Sequence, residues 1–581
     1  MKRVRFHDSP VLNVQIPLWR SRLVLILIML GFLALSAKAL YLQGISTQFL
    51  QQQGERRFER TLVLPATRGK IFDRSGNVVL ATSVPAKAIW AIPDDAKDAT
   101  PEQIAQLGKL LGMSAADIQS RIASDDDKNF VYLKRQVPVS IGEQITQLKV
   151  PGIHELAETR RVYPEGDIAA HVLGFTNIEG KGLEGVELAY NSELEGQSGS
   201  RRVIRDRLGR IVEDVRAVVP PVNGQDLNLS IDAGIQFDTY TALKQAMEDH
   251  KAKSAAAVVI DVQTGEILAM VSLPSYDPND VEARKGPALR NRAVVDTFEP
   301  GSIMKPFTAA LALDLGRITT KTIFHTGNGV YRYQGATIHD VEAGGNGDLN
   351  VAGVLRLSSN IGMTMISELL TSKEMWTKFA QLGIGRAPRL HFPGVAPGRL
   401  RPWKRWRPIE RATMAYGYGL SVSLLQIAHA YTAFARNGDM VSLTLLKRHG
   451  APTTVQEYSP RVAGLIRAML EAAAGPDGAK RAQVQGYRVA GKTGTARQIV
   501  DGRYSKSLYR GSFVGFAPVS HPRIVVGVTV DQPTVNGYYG AQVAAPAFSR
   551  IVTSCLRRMG VQPDAPMDSL VALGPDKKVS R

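Results

Sequence analysis

The chain has 581 residues, too many for one domain, and its 44% hydrophobic content beside 21% charged residues excludes a disordered polymer. A formal charge of +18 points to anionic surroundings, which could be nucleic acid, a membrane surface or an acidic polymer. The single cysteine, Cys555, excludes an internal disulfide framework and a cysteine-based metal cluster, and leaves the compartment open.

Residues 1–22 carry Lys2, Arg3, Arg5, Arg20 and Arg22 against Asp8 alone. Residues 23–42 follow as an apolar stretch whose only charge is Lys38, near the end where it can snorkel. Twenty residues in a helix rise about 30 Å, enough to cross a bilayer core. The basic excess before the span places the N-terminus in the cytoplasm, although Arg56, Arg57 and Arg60 moderate the asymmetry. Ala37-Lys38-Ala39 has the small-x-small form of a cleavage site, so a cleaved leader is the rival reading. The apolar run continues past it and the basic region is long, which favours an uncleaved anchor. Either way the chain beyond residue 43 lies outside the cytoplasm.

Residues 43–222 mix strand and helix signals, with charged, glycine-rich stretches at 68–77 and 179–185. Val219-Pro220-Pro221-Val222-Asn223-Gly224 reads as a linker. The domain after it, 223–562, opens with a strand at 227–231 and a helix at 235–249. A hairpin pairs 256–260 with 267–271 across Gln263-Thr264-Gly265. With a strand-rich end after 485, this predicts an α+β, multidomain chain whose second domain has a mixed central sheet with helices packed on it. Residues 563–581 read as a flexible tail, and there is no internal repeat.

Chemistry concentrates after Phe298-Glu299-Pro300-Gly301, a turn signal followed by a helix expected from Ser302 to Leu315 and ending at Gly316. A spacing of three places the Ser302 hydroxyl and the Lys305 amine on one face. Such a serine is a nucleophile if its environment keeps the lysine neutral, and Met304, Phe307 and the alanine-rich run supply an apolar one. A Ser-x-x-Lys match is expected about once or twice by chance in a chain this long, so a capping serine with a surface lysine is the plain alternative.

Two downstream signals support the chemical reading. Ser358-Ser359-Asn360 lies in an expected helix over 351–370, where its hydroxyl and amide can relay a proton and bind a peptide carbonyl. Ser75-Gly76-Asn77 matches the same pattern in a turn ahead of the nucleophile, so order is what distinguishes residue 358. Lys492-Thr493-Gly494-Thr495 follows a strand-like stretch. There Lys492 and the Thr493 and Thr495 hydroxyls can hold a carboxylate, and Gly494 leaves room for a substrate backbone against an edge strand.

Gly486 to Thr493 is also a literal Walker A match, but a P-loop needs a loop between strand and helix, and these spacer residues are strand-like. The basic aromatic run over 399–407 is broken by Pro402 and flanked by Pro397 and Pro408, which makes it a packed or solvated loop. No Gly-x-Ser-x-Gly elbow and no His-Glu-x-x-His motif is present, and no metal or cofactor is expected.

Ser302-x-x-Lys305, Ser358-x-Asn360 and Lys492-Thr493-Gly494, in this order, resemble the penicillin-recognising serine transferases. Residues 68–76, 161–174 and 182–187 resemble the three boxes of the class B non-catalytic module. Tyr416-Gly417-Tyr418-Gly419 and Tyr538-Tyr539-Gly540 resemble the division-specific, FtsI-type D,D-transpeptidases. The resemblance implies a pedestal module over 43–222 and a transpeptidase domain over 223–562 with a serine β-lactamase-like fold. It implies that Ser302 attacks the D-Ala-D-Ala bond of a peptidoglycan stem peptide with Lys305 as base, and that an amine from a neighbouring stem then takes the acyl group. Backbone N–H groups of Ser302 and Thr495 form the oxyanion hole; Ser358 and Asn360 position the donor, and Thr493 and Thr495 hold its carboxylate.

β-Lactams should acylate Ser302. The pair Ile303-Met304 departs from the small polar residue expected after the serine. Implied partners are lipid II stem peptides, an FtsW-like polymerase and other divisome membrane proteins, with no nucleic acid. The implied location is the bacterial inner membrane at the septum, with the catalytic domain periplasmic. The alternatives are an elongation-specific class B enzyme and a β-lactam-binding sensor or scaffold without cross-linking activity.

Overall fold

The computed structural model describes residues 17–42, 59–123, 130–205, 211–342, 344–500 and 502–565. Most of the expected cytoplasmic tail and residues 566–581 lie outside the described residues. Compactness divides the chain into Met1–Ala66 with Gln197–Val222, and Thr67–Gly196 with Asn223–Arg581.

The first unit contains a helix, Leu18–Leu40, whose 23 residues rise about 35 Å. Every side chain on it is exposed, and it is the one helix among the described residues long and apolar enough to cross a membrane. It starts five residues before the expected apolar stretch. The same unit holds a three-stranded antiparallel sheet of Glu59–Leu64, Gly199–Arg205 and Ile211–Val219, with Gly199–Arg205 in the middle.

In the second unit, Val79–Ala91 is the central strand of the N-terminal part, paired antiparallel with Val131–Pro138 and Ile153–Val162. Helices Pro101–Leu111, Ala115–Ala123 and Val139–Gln147 cover one face, burying Ile89, Leu107, Ile118, Leu133 and Ile145. The first of these helices is delimited by local chemistry. Thr100 and Gln103 form a reciprocal cap, Pro101 stands where no N–H is needed, and Gly112 ends the helix at φ 63°.

The three sequence boxes converge on one carboxylate. Arg68 Nε and Arg161 Nε each donate to Glu187 at 2.7 Å, and Arg68 Nη2 also donates to the Glu187 carbonyl at 2.9 Å. Glu187 is fully buried.

The stretch expected as a linker is fixed at its end. Gly224 N–H donates to the Thr67 carbonyl at 2.9 Å, and a Cβ on Gly224 would lie 1.8 Å from the Leu194 carbonyl oxygen. The strand expected at 227–231 shortens to Leu227–Asn228 and pairs in parallel with Ile71–Phe72. It therefore joins the N-terminal sheet and does not open the second one.

The second sheet has five strands in the order Ile267–Leu273, Ser254–Asp261, Ile524–Asp531, Arg503–Ala517, Ala490–Val500. The sheet expected as mixed is antiparallel in every pairing. Its central strands read as continuous apolar runs because both faces are buried. Ala256, Val258 and Ile260 share a core with Phe307, Leu424 and Phe434. The intervening Ala255, Ala257 and Val259 share another with Leu243, Phe548 and Ile551, from helices Ala233–Asp249 and Ala545–Arg558. The expected hairpin turns at Gly265, φ 71°, where a Cβ would lie 2.2 Å from the Ser442 carbonyl oxygen.

Candidate active site

The expected helix from Ser302 resolves into a 3₁₀ turn, Gly301–Met304, running directly into the α-helix Lys305–Asp314. Pro306 explains the tight turn. It has no N–H for the Ser302 carbonyl, which accepts instead from Lys305 N–H three residues on. Gly301 has φ 56° and donates its N–H to the Gly417 carbonyl at 3.1 Å. A Cβ on Gly417 would fall 2.2 Å from the Gly301 oxygen, so the Tyr416 to Gly419 segment cradles the turn only with glycine there. Ile303 and Met304 are fully buried, which accounts for apolar residues after the serine.

Lys305 is also fully buried. Its Nζ donates to the Ser358 carbonyl and to Ser358 Oγ, the latter at 3.1 Å. Burial, reinforced by the Lys492 charge and opposed by Asp340, pushes its pKa well below the ordinary lysine value. The neutral amine that nucleophile activation requires is thus accessible.

The helix expected over 351–370 is broken at the motif. Val351–Arg356 and Asn360–Glu368 are separate helices, and Ser358 between them adopts φ 59°. Regular helical periodicity across 351–370 carries no signal of a left-handed residue. Ser359 caps the second helix, accepting from Gly362 N–H at 2.9 Å and donating to Asp340 at 2.7 Å. Asp340 also accepts from the N–H groups of Asn360, at 2.6 Å, and Ile361, at 3.1 Å. A carboxylate at a helix N-terminus is favoured by its free N–H groups and dipole. Sequence reasoning missed Asp340, which follows a short hairpin, Val330–Tyr333 with Ala336–His339, whose Tyr333 and Ile338 pack against Ile361. The Asn360 side chain donates to the His339 carbonyl at 3.0 Å.

Lys492, Thr493, Gly494 and Thr495 lie within the edge strand Ala490–Val500, opposite Val514, Phe513, Ser512 and Gly511. Gly491-Lys492-Thr493 is therefore strand and no phosphate loop. Lys492 is 3% exposed, and burial lowers its pKa to about 8. Gly494 also has a reason within the chain. A Cβ there would meet Ser512 Oγ at 2.4 Å and the Pro300 carbonyl oxygen at 2.9 Å, so the glycine lets the strand close on the Ser302 turn of its own chain. The Thr495 oxygen lies 3.5 Å from where a Gly301 Cβ would stand. Thr495 Oγ1 accepts from Gly540 N–H at 3.0 Å and keeps its own proton to donate.

Glu299 was also missed. It accepts from Gly419 N–H at 2.7 Å and from Tyr504 Oη at 3.2 Å, its Oε2 is buried with no hydrogen-bond partner, and burial raises its pKa. With Arg497, Gln498 and Arg510 it lines a cavity of about 250 Å³ beside the turn. The basic run over 399–407 packs: Arg401 pairs with Glu410 at 2.8 Å, and Trp406 donates to the Arg401 carbonyl. Among the described residues there is no cluster of metal-ligating side chains.

The family described as Penicillin binding protein transpeptidase domain matches residues 255–553, and that described as Penicillin-binding Protein dimerisation domain matches 63–229. A probable peptidoglycan D,D-transpeptidase PenA of Neisseria gonorrhoeae is 39% identical over 560 residues, covering 96% of this chain and 95% of that protein. The peptidoglycan D,D-transpeptidase FtsI of Escherichia coli K12 is 37% identical over 553 residues, 94% and 93% of the two chains. Among solved structures, the transpeptidase domain of Burkholderia pseudomallei penicillin-binding protein 3 is 50% identical at TM-score 0.54, covering 58% of this chain and 98% of that one. A Bifidobacterium adolescentis peptidoglycan synthetase is 26% identical at TM-score 0.71, covering 87% and 98%.

Proposed function

The chain belongs to the class B penicillin-binding proteins, and from that premise we propose that it is a septal peptidoglycan D,D-transpeptidase with Ser302 as nucleophile and Lys305 as base. The observation that carries the mechanism is the fully buried Lys305 amine, held on Ser358 one turn from the serine. Neutral Lys305 takes the Ser302 proton as Oγ bonds to the carbonyl carbon of the penultimate D-alanine. The proton passes to the terminal D-alanine nitrogen as that C–N bond breaks, leaving an acyl-enzyme. An acceptor amine then attacks the acyl carbon and gives up a proton through Lys305, and Oγ leaves with a proton restored.

Ser358 relays the proton and Asn360 binds the donor peptide, with Asp340 holding the start of the Asn360 helix and its capping Ser359, next to Ser358. Lys492, still largely charged below pH 8, attracts the donor carboxylate held by Thr493 and Thr495. Backbone N–H groups of Ser302 and Thr495 receive the developing oxyanion, and Gly494 keeps the strand close enough to the turn for both to reach it. An extended stem peptide adds along the free side of the edge strand.

The exposed apolar Leu18–Leu40 helix serves as a single-pass anchor in the inner membrane, with the N-terminus cytoplasmic and the catalytic domain periplasmic at the division septum. The domain limits 43–222 and 223–562 describe a pedestal and a catalytic domain. Polymerisation then falls to an FtsW-like partner. FtsI-type naming of the relatives supports division over elongation. Full-length protein in detergent, treated with benzylpenicillin and weighed intact, should gain one adduct that Ser302→Ala lacks. No adduct on folded wild type would sink the nucleophile assignment, and an adduct without dimeric muropeptides from lipid II would favour a sensor.

A further inference from the structure

We infer that Tyr431 is a positioning residue for the nucleophile, acting through the carbonyl of Ile303. The turn that carries Ser302 is not held in α geometry by its own helix, because Pro306 offers no N–H to the Ser302 carbonyl, which accepts only the 3₁₀ bond from Lys305 N–H. Its conformation is set from outside on both sides of the serine. Before it, Gly301 N–H is held by the Gly417 carbonyl at 3.1 Å. After it, Tyr431 Oη donates to the Ile303 carbonyl at 2.8 Å.

Three observations make this contact more than packing. Tyr431 is fully buried in helix Leu424–Ala435, and a buried phenol needs an acceptor, which Ile303 alone supplies among its hydrogen bonds. Burial pushes its pKa well above the ordinary tyrosine value, so the hydroxyl keeps its proton and stays a donor at neutral pH. Its ring is locked edge-on against Phe307, centroids 5.3 Å apart at 83°, and Phe434, 6.0 Å at 84°, so the hydroxyl is aimed by a rigid aromatic cluster. One turn further along, Tyr458 Oη donates to the Phe307 carbonyl at 3.2 Å, a chemically matched contact that does not touch the turn.

This inference rests on Ser302 as nucleophile. The test is stopped-flow acylation of the full-length protein in detergent by benzylpenicillin, resolved into the binding constant K and the acylation rate k2. Tyr431→Phe, which loses one oxygen and keeps both ring contacts, is compared with Tyr458→Phe, and the melting temperature of each is measured. Tyr431→Phe is expected to lower k2 by about tenfold at unchanged K, a loss matched to one hydrogen bond. Tyr458→Phe is expected to show a comparable fall in melting temperature with k2 within about twofold of wild type. Equal k2 losses in the two variants, or an unchanged k2 in Tyr431→Phe, would overturn the inference. Failure of wild type to acylate would instead remove the nucleophile reading beneath it.

Discussion

Two buried clusters of charge treat the same physical problem in opposite ways. At the junction of the N-terminal boxes, Arg68 and Arg161 enclose Glu187, and each guanidinium donates to the carboxylate at 2.7 Å. At the active site, Lys305 and Lys492 are buried with no salt bridge to either among the described residues, and both have lowered pKa values. Taking a charge out of water costs several kcal/mol unless it is paired. The first cluster meets that cost with a partner and so serves architecture. The second leaves it in place and obtains a lysine that can be neutral, which is a chemical capability. Burial alone therefore does not distinguish the two clusters, whereas a directly paired carboxylate does.

Four substitutions break or sharpen this contrast. The largest effect is expected for Lys305→Met, which removes the proposed base: benzylpenicillin acylation should fall by about 10³-fold while the melting temperature holds or rises. A variant that melts well below wild type would place Lys305 with the architectural charges. Glu187→Gln should do the reverse, costing about 3–5 kcal/mol of stability by leaving two arginines buried against a neutral amide. Thermal unfolding would show this, with acylation near wild type at temperatures where the variant is folded. A loss under about 1 kcal/mol would equate the two clusters.

Asp340→Asn removes the anion at the start of the Asn360–Glu368 helix and should lower k2 by about tenfold. Retention of full k2 would show that Ser359 and the backbone hold the motif unaided.

The smallest expected effect concerns pH. Lys492 loses its positive charge as pH rises through about 8, so the attraction proposed for the substrate carboxylate should be present below that pH and lost above it. With Lys305 as the proposed base, its pKa also lowered, acylation should rise with pH until Lys492 discharges. Lys492→Arg, charged throughout, should keep kcat/KM high above pH 8 even if its maximum is lower. An alkaline limb that survives in this variant would assign the titration elsewhere.

Much of this was legible in the sequence because it obeys local rules. The helix expected at 235–249 and the hairpin around Gly265 announce themselves by periodicity and turn residues, and the three motifs lie in one order along the chain, whereas the strand read at 487–490 begins only at Ala490 and runs through the Lys492 motif to Val500. What escaped depends on tertiary context. The left-handed Ser358 interrupts an apolar pattern that runs smoothly over 351–370. Asp340 acts on a helix twenty residues downstream. The Leu227–Asn228 strand alternates correctly and chooses another sheet. The edge strand carries Gly494 for the fit to Ser512 and Pro300, two contacts with no local signature.

That fit has a mechanical corollary. Any side chain at 494 must push the strand off the turn that carries Ser302, so the glycine works as a fixed spacing between two elements far apart in sequence, and the gap between them is set by the absence of an atom.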